Sequence, residues 1–262
     1  MKDFQTVLLE KEGNFSTIWL NRPEKRNALN EKMIDELTEA ITNINLENQQ
    51  RLIILRGKGK AFSSGADLDM MRDAKETAPG VKIGKINQLP RCLSVIYQSE
   101  IPVIGVAHGS VFGGANGILA ACDIALAGAN TVFAFSEVRL GLIPAAIAPY
   151  VMKRTGESKA REFMLTGKRF MAREAEMSGL INRSLPEDAL EAHLDDLVQD
   201  ILAGGPEAIS ICKSMISQIA NVWDLNESLI ETGKLILQVR GSEEAQRRMS
   251  SFLNKKQGNS AK

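Results

Sequence analysis

The chain has 262 residues, of which 44% are hydrophobic and 24% are charged, a composition typical of a globular protein. Its 32 basic and 32 acidic side chains cancel. The overall charge therefore argues against nucleic acid as the main partner and against attraction to an anionic membrane. The three cysteines and two histidines are far apart, which argues against a disulfide framework and against a metal site built from these residues.

Strand patterns alternate with helix patterns in the first half of the chain. Two strand patterns, 6–10 and 16–20, flank a turn-like segment and predict a hairpin. Asn30 is placed to cap a helix with apolar residues at helical spacing on one face. This alternation predicts βαβ units and a parallel sheet. The remaining predicted elements are strands at 51–56, 103–107 and 124–127, and helices starting at Asp67, over 81–97 with a kink at Pro90, and over 114–122.

Beyond Pro144 the pattern is almost all helical. The predicted helices lie near 157–166, 171–178, 187–203, 206–220, 225–240 and 243–256. The sequence thus predicts an α/β core over residues 1–190 and a helical region over 191–262 that packs on the core or on a neighbouring subunit. No apolar run reaches the about 18 residues of a membrane-spanning helix, and the N-terminus carries no apolar signal segment, so we expect a cytoplasmic protein.

Two glycine-containing loops each join a predicted strand to a predicted helix. The first is 61–68, where Gly65 permits a turn that strains other residues. The second is 108–117, where Gly113 and Gly114 allow a ligand to approach the backbone closely. Backbone N–H groups at a helix start are unpaired, and the helix dipole adds positive potential there. Two such loops that converge form an oxyanion hole, which suits a thioester enolate.

Ordinary strand-to-helix turns are the alternative interpretation of either loop taken alone. Other loop signatures are missing, since the sequence has no Gly-x-Ser-x-Gly elbow, no P-loop and no Gly-x-Gly-x-x-Gly fingerprint. An acyl-transfer hydrolase with a serine elbow and a nucleotide-binding protein of these two types are therefore not favoured.

Longer segments around the two loops resemble the crotonase (enoyl-CoA hydratase/isomerase) superfamily over nearly the whole chain. The matching segments are 21–30 (NRPEKRNALN), 62–68 (FSSGADL), 112–114 (FGG) with 121–125 (ACDIA), 135–144 (FSEVRLGLIP), 165–167 (LTG) and the pair Phe252 and Lys255. The resemblance implies an α/β fold, a spiral of ββα repeats with a C-terminal helical trimerisation region. It also implies a homotrimer, often arranged as a dimer of trimers.

The resemblance also implies the roles of individual residues. The N–H groups of Ala66 and Gly114 would form the oxyanion hole, and Glu137 would be the catalytic carboxylate. Coenzyme A would bind bent, as part of an acyl-CoA substrate, and no separate cofactor is expected. A solvated helix end is the alternative for Lys255. The implied CoA-binding residues are Lys25, Arg26, Ala28, Ser64, Ala66, Asp67, Leu68, Phe252 and Lys255, the last two from a neighbouring subunit.

One position departs from the pattern of the family. Its hydratases commonly carry a second glutamate three positions after the oxyanion glycine, and this position is Gly117 here. Segment 136–150 resembles a bacterial branch usually assigned as methylglutaconyl-CoA hydratase of leucine degradation, whose members often lack the same glutamate. The resemblance therefore implies reversible hydration of an α,β-unsaturated acyl-CoA and, in its narrowest form, of 3-methylglutaconyl-CoA.

With a single glutamate, the contribution of other groups stays open. Asn116 and Ser136 are candidates for positioning a water molecule, but a structural hydrogen bond is favoured for both. His108 is expected to help pack its loop. Arg72 or Lys75 is a candidate partner for a distal carboxylate of the substrate, with surface charge as the favoured alternative. The rival functions are an enoyl-CoA isomerase, a decarboxylase, and a non-catalytic CoA-binding or RNA-binding member of the superfamily.

Overall fold

A computed structural model describes the backbone of residues 4–67, 88–220 and 225–259, and the side chains of residues 4–67, 88–220 and 227–251. Contacts between Cα atoms divide the chain into two compact units, Met1–Asp196 and Leu197–Lys262. The boundary expected from the sequence follows residue 190. All described strands belong to the first unit, and the described part of the second unit is helical.

Nine strands form two sheets in the described part of the first unit. They are β1 (Val7–Glu12), β2 (Phe15–Leu20), β3 (Leu52–Gly57), β4 (Val103–Ala107), β5 (Ser110–Phe112), β6 (Ile124–Gly128), β7 (Val132–Ala134), β8 (Arg169–Met171) and β9 (Arg183–Leu185). The main sheet has the order β1-β2-β3-β4-β6-β9. β1 and β2 form the predicted antiparallel hairpin, and the later pairings are parallel. The predicted parallel sheet is therefore confirmed.

The second sheet has the order β5-β7-β8, and each of its strands is three residues long. β5 pairs with β7 in parallel, and β7 pairs with β8 in the antiparallel sense. The sequence pattern predicted none of these strands, and after Pro144 it missed both β8 and β9. A run of three residues is too short to show a two-residue period, so these strands form because their neighbours offer backbone partners.

Nine α-helices lie in the described parts of the chain. They are α1 (Glu31–Asn45), α2 (Gln88–Tyr97), α3 (Gly114–Ala121), α4 (Ala148–Thr166), α5 (Ala172–Met177), α6 (Glu187–Ala203), α7 (Pro206–Ile219), α8 (Leu225–Gly241) and α9 (Glu243–Asn259). The predicted cap of α1 is confirmed, because the Asn30 side chain accepts a hydrogen bond from the Met33 N–H at 2.9 Å. The helix predicted from Asp67 lies outside the described residues. The residues before Gln88 also lie outside them, and the predicted kink at Pro90 depends on those residues.

Helix α3 lies in the middle of the apolar core, and all of its residues are buried. A Cβ on Gly105 of β4 would lie 2.6 Å from Cδ2 of Leu119. Because glycine stands at position 105, β4 and α3 approach more closely than a larger residue permits. Helix α1 adds its predicted apolar face to the same core. The N-terminus of α3, at Gly114, is therefore a firmly packed part of the first unit.

The second unit contains the end of α6, from Leu197, together with α7, α8 and α9. The Glu244 carboxylate accepts hydrogen bonds from the N–H groups of Glu207 and Ala208 at the start of α7, which satisfies donors that a helix start leaves unpaired. Large apolar side chains are exposed on this unit, among them Ile216, Leu229, Ile230, Ile236 and Leu237. None of the helices in the described part of the chain has the length and apolar character needed to cross a bilayer.

Candidate active site

The first loop, residues 61–67, lies alongside β5. The Ser63 N–H donates to the Ser110 carbonyl at 3.1 Å, and the Phe112 N–H donates to the Ser63 carbonyl at 3.1 Å. Because Ser110 and Phe112 belong to the second loop, residues 108–117, the two loops run side by side. The convergence that the sequence predicted is thus present in the backbone.

Gly65 turns the first loop toward the second. Its φ is +88°, and a Cβ there would lie 2.6 Å from the Phe112 carbonyl oxygen, so no other residue fits. The Gly65 carbonyl accepts from the Leu29 N–H at 2.7 Å, and the Asp67 N–H donates to the Leu29 carbonyl at 3.0 Å. This bridge directs the N–H of Ala66 away from Leu29. The Ala66 N–H donates to no acceptor among the described residues.

Asn27 anchors the first loop, although nothing in the sequence pattern singled it out. Its fully buried side chain accepts from the Arg22 N–H at 2.8 Å and donates to the carbonyls of Lys58 at 2.9 Å and Ala61 at 2.8 Å. Its φ of +54° is left-handed, a conformation that asparagine tolerates better than most residues. The Ser63 hydroxyl donates to the Asn27 carbonyl at 2.7 Å, which completes the attachment.

A nearly buried ion pair closes the end of the first loop. Nη1 of Arg22 lies 2.9 Å from Oδ2 of Asp67, and the two side chains are 15% and 9% exposed. The same nitrogen donates to the Ala28 carbonyl at 2.6 Å. Asp67, which the family resemblance implies as a CoA-binding residue, therefore has a structural partner within the chain.

The second loop passes from β4 through β5 to the start of α3. Gly113 has a φ of +51° and donates its N–H to the Ala134 carbonyl at 3.0 Å. Gly114 is the first residue of α3, and its N–H donates to no acceptor within the described ranges. The dipole of α3 adds positive potential at this point. Ala66 and Gly114 thus each carry a free backbone donor, as an oxyanion hole requires.

Asn116 ties the second loop to β7. Its buried Nδ2 donates to the Ala134 carbonyl at 2.9 Å and to the Gly113 carbonyl at 3.2 Å. Nε2 of His108 lies within hydrogen-bond distance, 2.8 Å, of the Gly59 carbonyl oxygen. Both contacts agree with the structural roles favoured for these residues, because they attach the second loop to neighbouring segments.

Glu137 is the first residue of a short 3-10 helix, Glu137–Leu140. A Cβ on Gly113 would lie 3.2 Å from Oε1 of Glu137, so the carboxylate packs against the backbone of the second loop. Its Oε2 is buried and has no hydrogen-bond partner in the described part of the chain. Burial raises the pKa of the Glu137 carboxyl group above its usual range. A raised pKa of this kind is typical of groups that exchange protons in a binding cleft.

Stacked phenylalanine rings support the backbone that leads to Glu137. The ring centroids of Phe135 and Phe163 are 6.0 Å apart, and those of Phe163 and Phe170 are 4.1 Å apart. Phe135 and Phe163 are fully buried. Because Phe135 stands two residues before Glu137, this packing restricts where the carboxylate can lie.

The two loops and Glu137 line one cavity of about 520 Å³. The cavity brings together all three predicted catalytic groups, Ala66, Gly114 and Glu137. It also brings together several of the residues implied for CoA binding. The lining residues are Lys25, Ala28, Ser64, Gly65, Ala66, Asp67, Gly113, Gly114, Ser136, Glu137, Leu140 and Leu142.

Some predicted site residues are not placed in this cavity. Arg26 has an exposed side chain and does not line it. Leu68 lies outside the described residues. Phe252 and Lys255 belong to α9, but their side chains also lie outside the described ones. The two candidate partners of a distal substrate carboxylate, Arg72 and Lys75, are likewise outside the described residues.

Leu140 and Leu142 line the cavity beside Glu137, and the sequence interpretation did not name them as site residues. Their side chains are 59% and 43% exposed. Their position shortly after Glu137 was the signal in the sequence, but leucines in a turn are indistinguishable from core residues until the path of the backbone is known. They make the wall beside the carboxylate apolar.

Another side chain fills the place of the missing second glutamate. A Cβ on Gly117 would lie 2.3 Å from Cγ2 and 2.8 Å from Cβ of Ile147, and 3.2 Å from Cδ1 of Leu93. Ile147 is buried, with 1% of its surface exposed. The other carboxylate lining the cavity, that of Asp67, is paired with Arg22. Among the described lining residues, Glu137 is therefore the carboxylate placed for proton transfer.

Several known proteins with similar sequences are named enoyl-CoA hydratases. The chain is 29% identical over 257 residues to a short-chain-enoyl-CoA hydratase of Clostridium acetobutylicum, with 97% of each chain covered. It is 32% identical over 231 residues to an enoyl-CoA hydratase of Alternaria alternata, with 86% of this chain and 74% of the relative covered. A family model described as enoyl-CoA hydratase/isomerase matches residues 10–260.

Solved structures agree with these sequence relatives. An enoyl-CoA hydratase from Shewanella pealeana superposes with a TM-score of 0.92 at 33% identity, over 96% of this chain and 94% of that one. An enoyl-CoA hydratase/isomerase from Marinobacter aquaeolei gives a TM-score of 0.89 at 30% identity, over 95% and 97% of the two chains. The predicted crotonase-like α/β fold with C-terminal helices is thereby confirmed. This chain belongs to the enoyl-CoA hydratase/isomerase family, within the crotonase superfamily, and is an enzyme of the hydratase lyase type.

Proposed function

We propose that this enzyme reversibly adds water across the double bond of an α,β-unsaturated acyl-CoA, with the thioester oxygen bound by the N–H groups of Ala66 and Gly114. The observation that carries this proposal is a single cavity lined by both free donors and by Glu137. Addition of water at Cβ of the acyl group places negative charge on the thioester oxygen, and preorganised donors stabilise that charge. Removal of one such donor typically raises the barrier by about 3 kcal/mol.

Glu137 is the acid–base group of this mechanism. As the oxygen of water bonds to Cβ, the Glu137 carboxylate takes a proton from that water, and the enolate forms. The Cα of the enolate then takes the proton from the carboxyl group, which returns to the carboxylate. The product contains one added water molecule. Because burial favours the neutral form of Glu137, it lowers the cost of the protonated stage.

Coenzyme A enters this proposal as part of the substrate, and no further cofactor takes part. Lys25, Ala28 and Ser64 line the cavity on the side of the first loop, and their contacts with CoA stay predictions. We also propose a homo-oligomer, a trimer or a dimer of trimers. The exposed apolar side chains of α8, including Leu229 and Leu237, support it. A cytoplasmic location stays a prediction.

The narrower substrate in this proposal is 3-methylglutaconyl-CoA, an intermediate of leucine degradation. Its support is the resemblance of segment 136–150 to the bacterial branch assigned to that reaction. The competing substrates are short enoyl-CoA thioesters with apolar acyl groups. The apolar wall formed by Leu140 and Leu142 beside Glu137 favours these.

Isomerisation of an enoyl-CoA is a second candidate reaction. The observation in its favour is the single carboxylate, because Ile147 fills the space beside Gly117. One carboxylate is sufficient to remove a proton from one carbon of the acyl group and return it to another. A decarboxylase that acts on a related acyl-CoA stays a rival as well, since an oxyanion hole suits any thioester enolate.

A substrate panel with three forms of the enzyme tests these proposals. The panel contains 3-methylglutaconyl-CoA, crotonyl-CoA and branched apolar enoyl-CoA thioesters. We expect wild type to hydrate at least one of them, and Glu137→Gln to lose about 10²–10⁴-fold in kcat. Glu157→Gln, which changes an exposed carboxylate paired with Arg161, is the matched control and should keep full activity.

Each result of this panel has a distinct meaning. Full activity of Glu137→Gln contradicts the assignment of the acid–base group. A product with the mass of the substrate identifies isomerisation, because hydration adds the mass of one water. A product that has lost carbon dioxide identifies decarboxylation. If no substrate is converted, the proposed hydration is wrong.

A further inference from the structure

We propose that Ile147 determines the mode of proton transfer: by filling the space beside Gly117, it restricts the active-site cavity to one working carboxylate, that of Glu137. This inference rests on the proposed hydration and extends it to a residue that does not itself touch the substrate. Ile147 is therefore a positioning residue. It acts by excluding a second acid–base group from the helix that carries Gly114.

The geometry of α3 places Gly117 on the same side as Gly114. Residues three apart on an α-helix lie on one face, one turn from each other. A side chain at position 117 would thus leave the helix one turn beyond Gly114, which lines the cavity. That direction is occupied at 2.3 Å by Cγ2 of Ile147 and at 3.2 Å by Cδ1 of Leu93.

Ile147 cannot move aside at low cost. Its N–H donates to the Pro144 carbonyl at 3.2 Å, and its carbonyl accepts from the N–H groups of Tyr150 and Val151 at 3.1 Å each. The side chain is branched at Cβ, which restricts its rotation. Rotation would move Cγ2 but not the Cβ atom, which already lies 2.8 Å from the added Cβ. Only a change of residue or a shift of the backbone makes room.

Gly113 and Gly117 have different kinds of side chain packed against them. Gly113, at the start of α3, has the carboxylate of Glu137 against it, whereas Gly117 has a hydrocarbon side chain against it. Both transfers of the one proton, from water to Glu137 and from Glu137 to Cα, therefore pass through one group. The carboxylate is the active form of Glu137 in hydration and in dehydration, so protonation of Glu137 stops both directions.

Thermal unfolding tests the steric part of this inference. Alanine is normally favoured over glycine inside a helix, so Gly233→Ala in α8, where an added Cβ meets nothing within 4 Å, should raise Tm by about 2–4 °C. Gly117→Ala should instead lower Tm by about 5–10 °C, because it overpacks the core. In an Ile147→Gly background the sign should reverse, and Gly117→Ala should raise Tm. A rise of Tm for Gly117→Ala in the wild-type background overturns the inference.

Activity profiles test the chemical part. The paired variant Gly117→Glu with Ile147→Gly exchanges the volume of the isoleucine for a second carboxylate, and Gly117→Gln with Ile147→Gly is its uncharged match. We expect the glutamate pair to gain an additional ionisation in the pH profile of kcat/KM that both the glutamine pair and wild type lack. Identical profiles for the two pairs show that position 117 does not reach the reaction, which overturns the inference.

One further measurement does not depend on whether the paired variants fold. The residual hydration by Glu137→Gln should have no acid limb in its pH profile, because no second carboxylate takes part. An acid limb that persists in Glu137→Gln overturns the inference. If wild type hydrates none of the substrates, the proposed function fails on its own, whereas the comparison of Tm values still decides whether Ile147 excludes a side chain at position 117.

Discussion

The first and second loops each present one free N–H group to the cavity, but different interactions hold them. Besides its backbone hydrogen bonds to β5 and Leu29, the first loop is attached through polar side chains, namely the buried amide of Asn27 and the ion pair of Arg22 with Asp67. The second loop continues into α3, whose residues are all buried. Its polar attachment, through Asn116, duplicates a backbone bond from Gly113 to the same carbonyl group.

This difference shows two physical routes to a fixed backbone donor. Directional hydrogen bonds hold the described residues of the first loop, and loss of one leaves buried carbonyl groups without partners. A donor at the start of a packed helix is held by the close packing of the core instead. We therefore expect single polar substitutions to disturb the first loop more than the second.

Substitution of Gly65 should have the largest effect. A Cβ at this position meets the Phe112 carbonyl oxygen at 2.6 Å, and a backbone atom cannot move aside, so the first loop and the Ala66 N–H are displaced. We expect Gly65→Ala to lower kcat by about 10²–10³-fold, the usual effect of losing an oxyanion donor. Steady-state kinetics measures this. Gly13→Ala has similar positive φ and no neighbour within 4 Å, and it should keep wild-type kcat.

Wild-type activity of Gly65→Ala would contradict the role of the first loop in the oxyanion hole. A loss of activity in both would point to backbone strain as the cause, since both glycines have positive φ.

Removal of the Asn27 amide should have the next largest effect. Asn27→Gly keeps the left-handed backbone but leaves the carbonyls of Lys58 and Ala61 without their donor. We expect the free energy of unfolding to fall by about 2–3 kcal/mol, as measured by urea denaturation. Arg26→Gly, also at a left-handed position but with an exposed side chain, should leave it nearly unchanged. A smaller loss for Asn27→Gly than for Arg26→Gly would contradict polar anchoring of the first loop.

The smallest effect is on the thermal stability of Glu137→Gln, whose side chain packs against the second loop. Burial raises the pKa of Glu137 in the folded protein above that in the unfolded chain. The folded state therefore loses stability as pH rises from the unfolded pKa through the raised folded pKa, and this cost is complete above both. Glutamine carries no such cost, so Glu137→Gln should have a higher Tm than wild type at neutral pH. The difference should vanish near pH 4, close to the unfolded pKa of about 4.3.

Calorimetry between pH 4 and pH 8 follows this difference, with Glu157→Gln as an exposed control. A Tm of Glu137→Gln below that of wild type at neutral pH would show that the carboxylate is stabilised rather than strained by its surroundings. The comparison of the loops would then change, because the second loop would also depend on a polar contact.

The main elements of the fold followed from local patterns. The α1 face and the Asn30 cap, the hairpin of β1 and β2, and the parallel strands β3, β4 and β6 were all predicted. These predictions are confirmed because each depends only on neighbouring residues: a period of 3.6 or 2 residues, a capping side chain or a turn. Strands β5, β7, β8 and β9 were missed because three residues carry no period.

The candidate site was predicted in part. Ala66, Gly114 and Glu137 line one cavity, as expected, because their glycine turns and the motif around the glutamate are visible in the sequence. The anchoring role of Asn27 and the apolar wall of Leu140 and Leu142 were not predicted. Each depends on which distant backbone or open space a side chain meets, and a local pattern contains no such information.

By itself, the sequence determined which residues can present a free backbone donor, since glycine conformations and helix starts are local properties. Its resemblance to the family named Glu137 as the carboxylate beside them. It also exposed Gly117 as a position without a carboxylate. Only the tertiary structure decided that Ile147 occupies the space beside Gly117 and that Asp67 is paired with Arg22. The physical reason is that steric exclusion and charge pairing depend on distances between residues far apart in the chain, which the folded path alone sets.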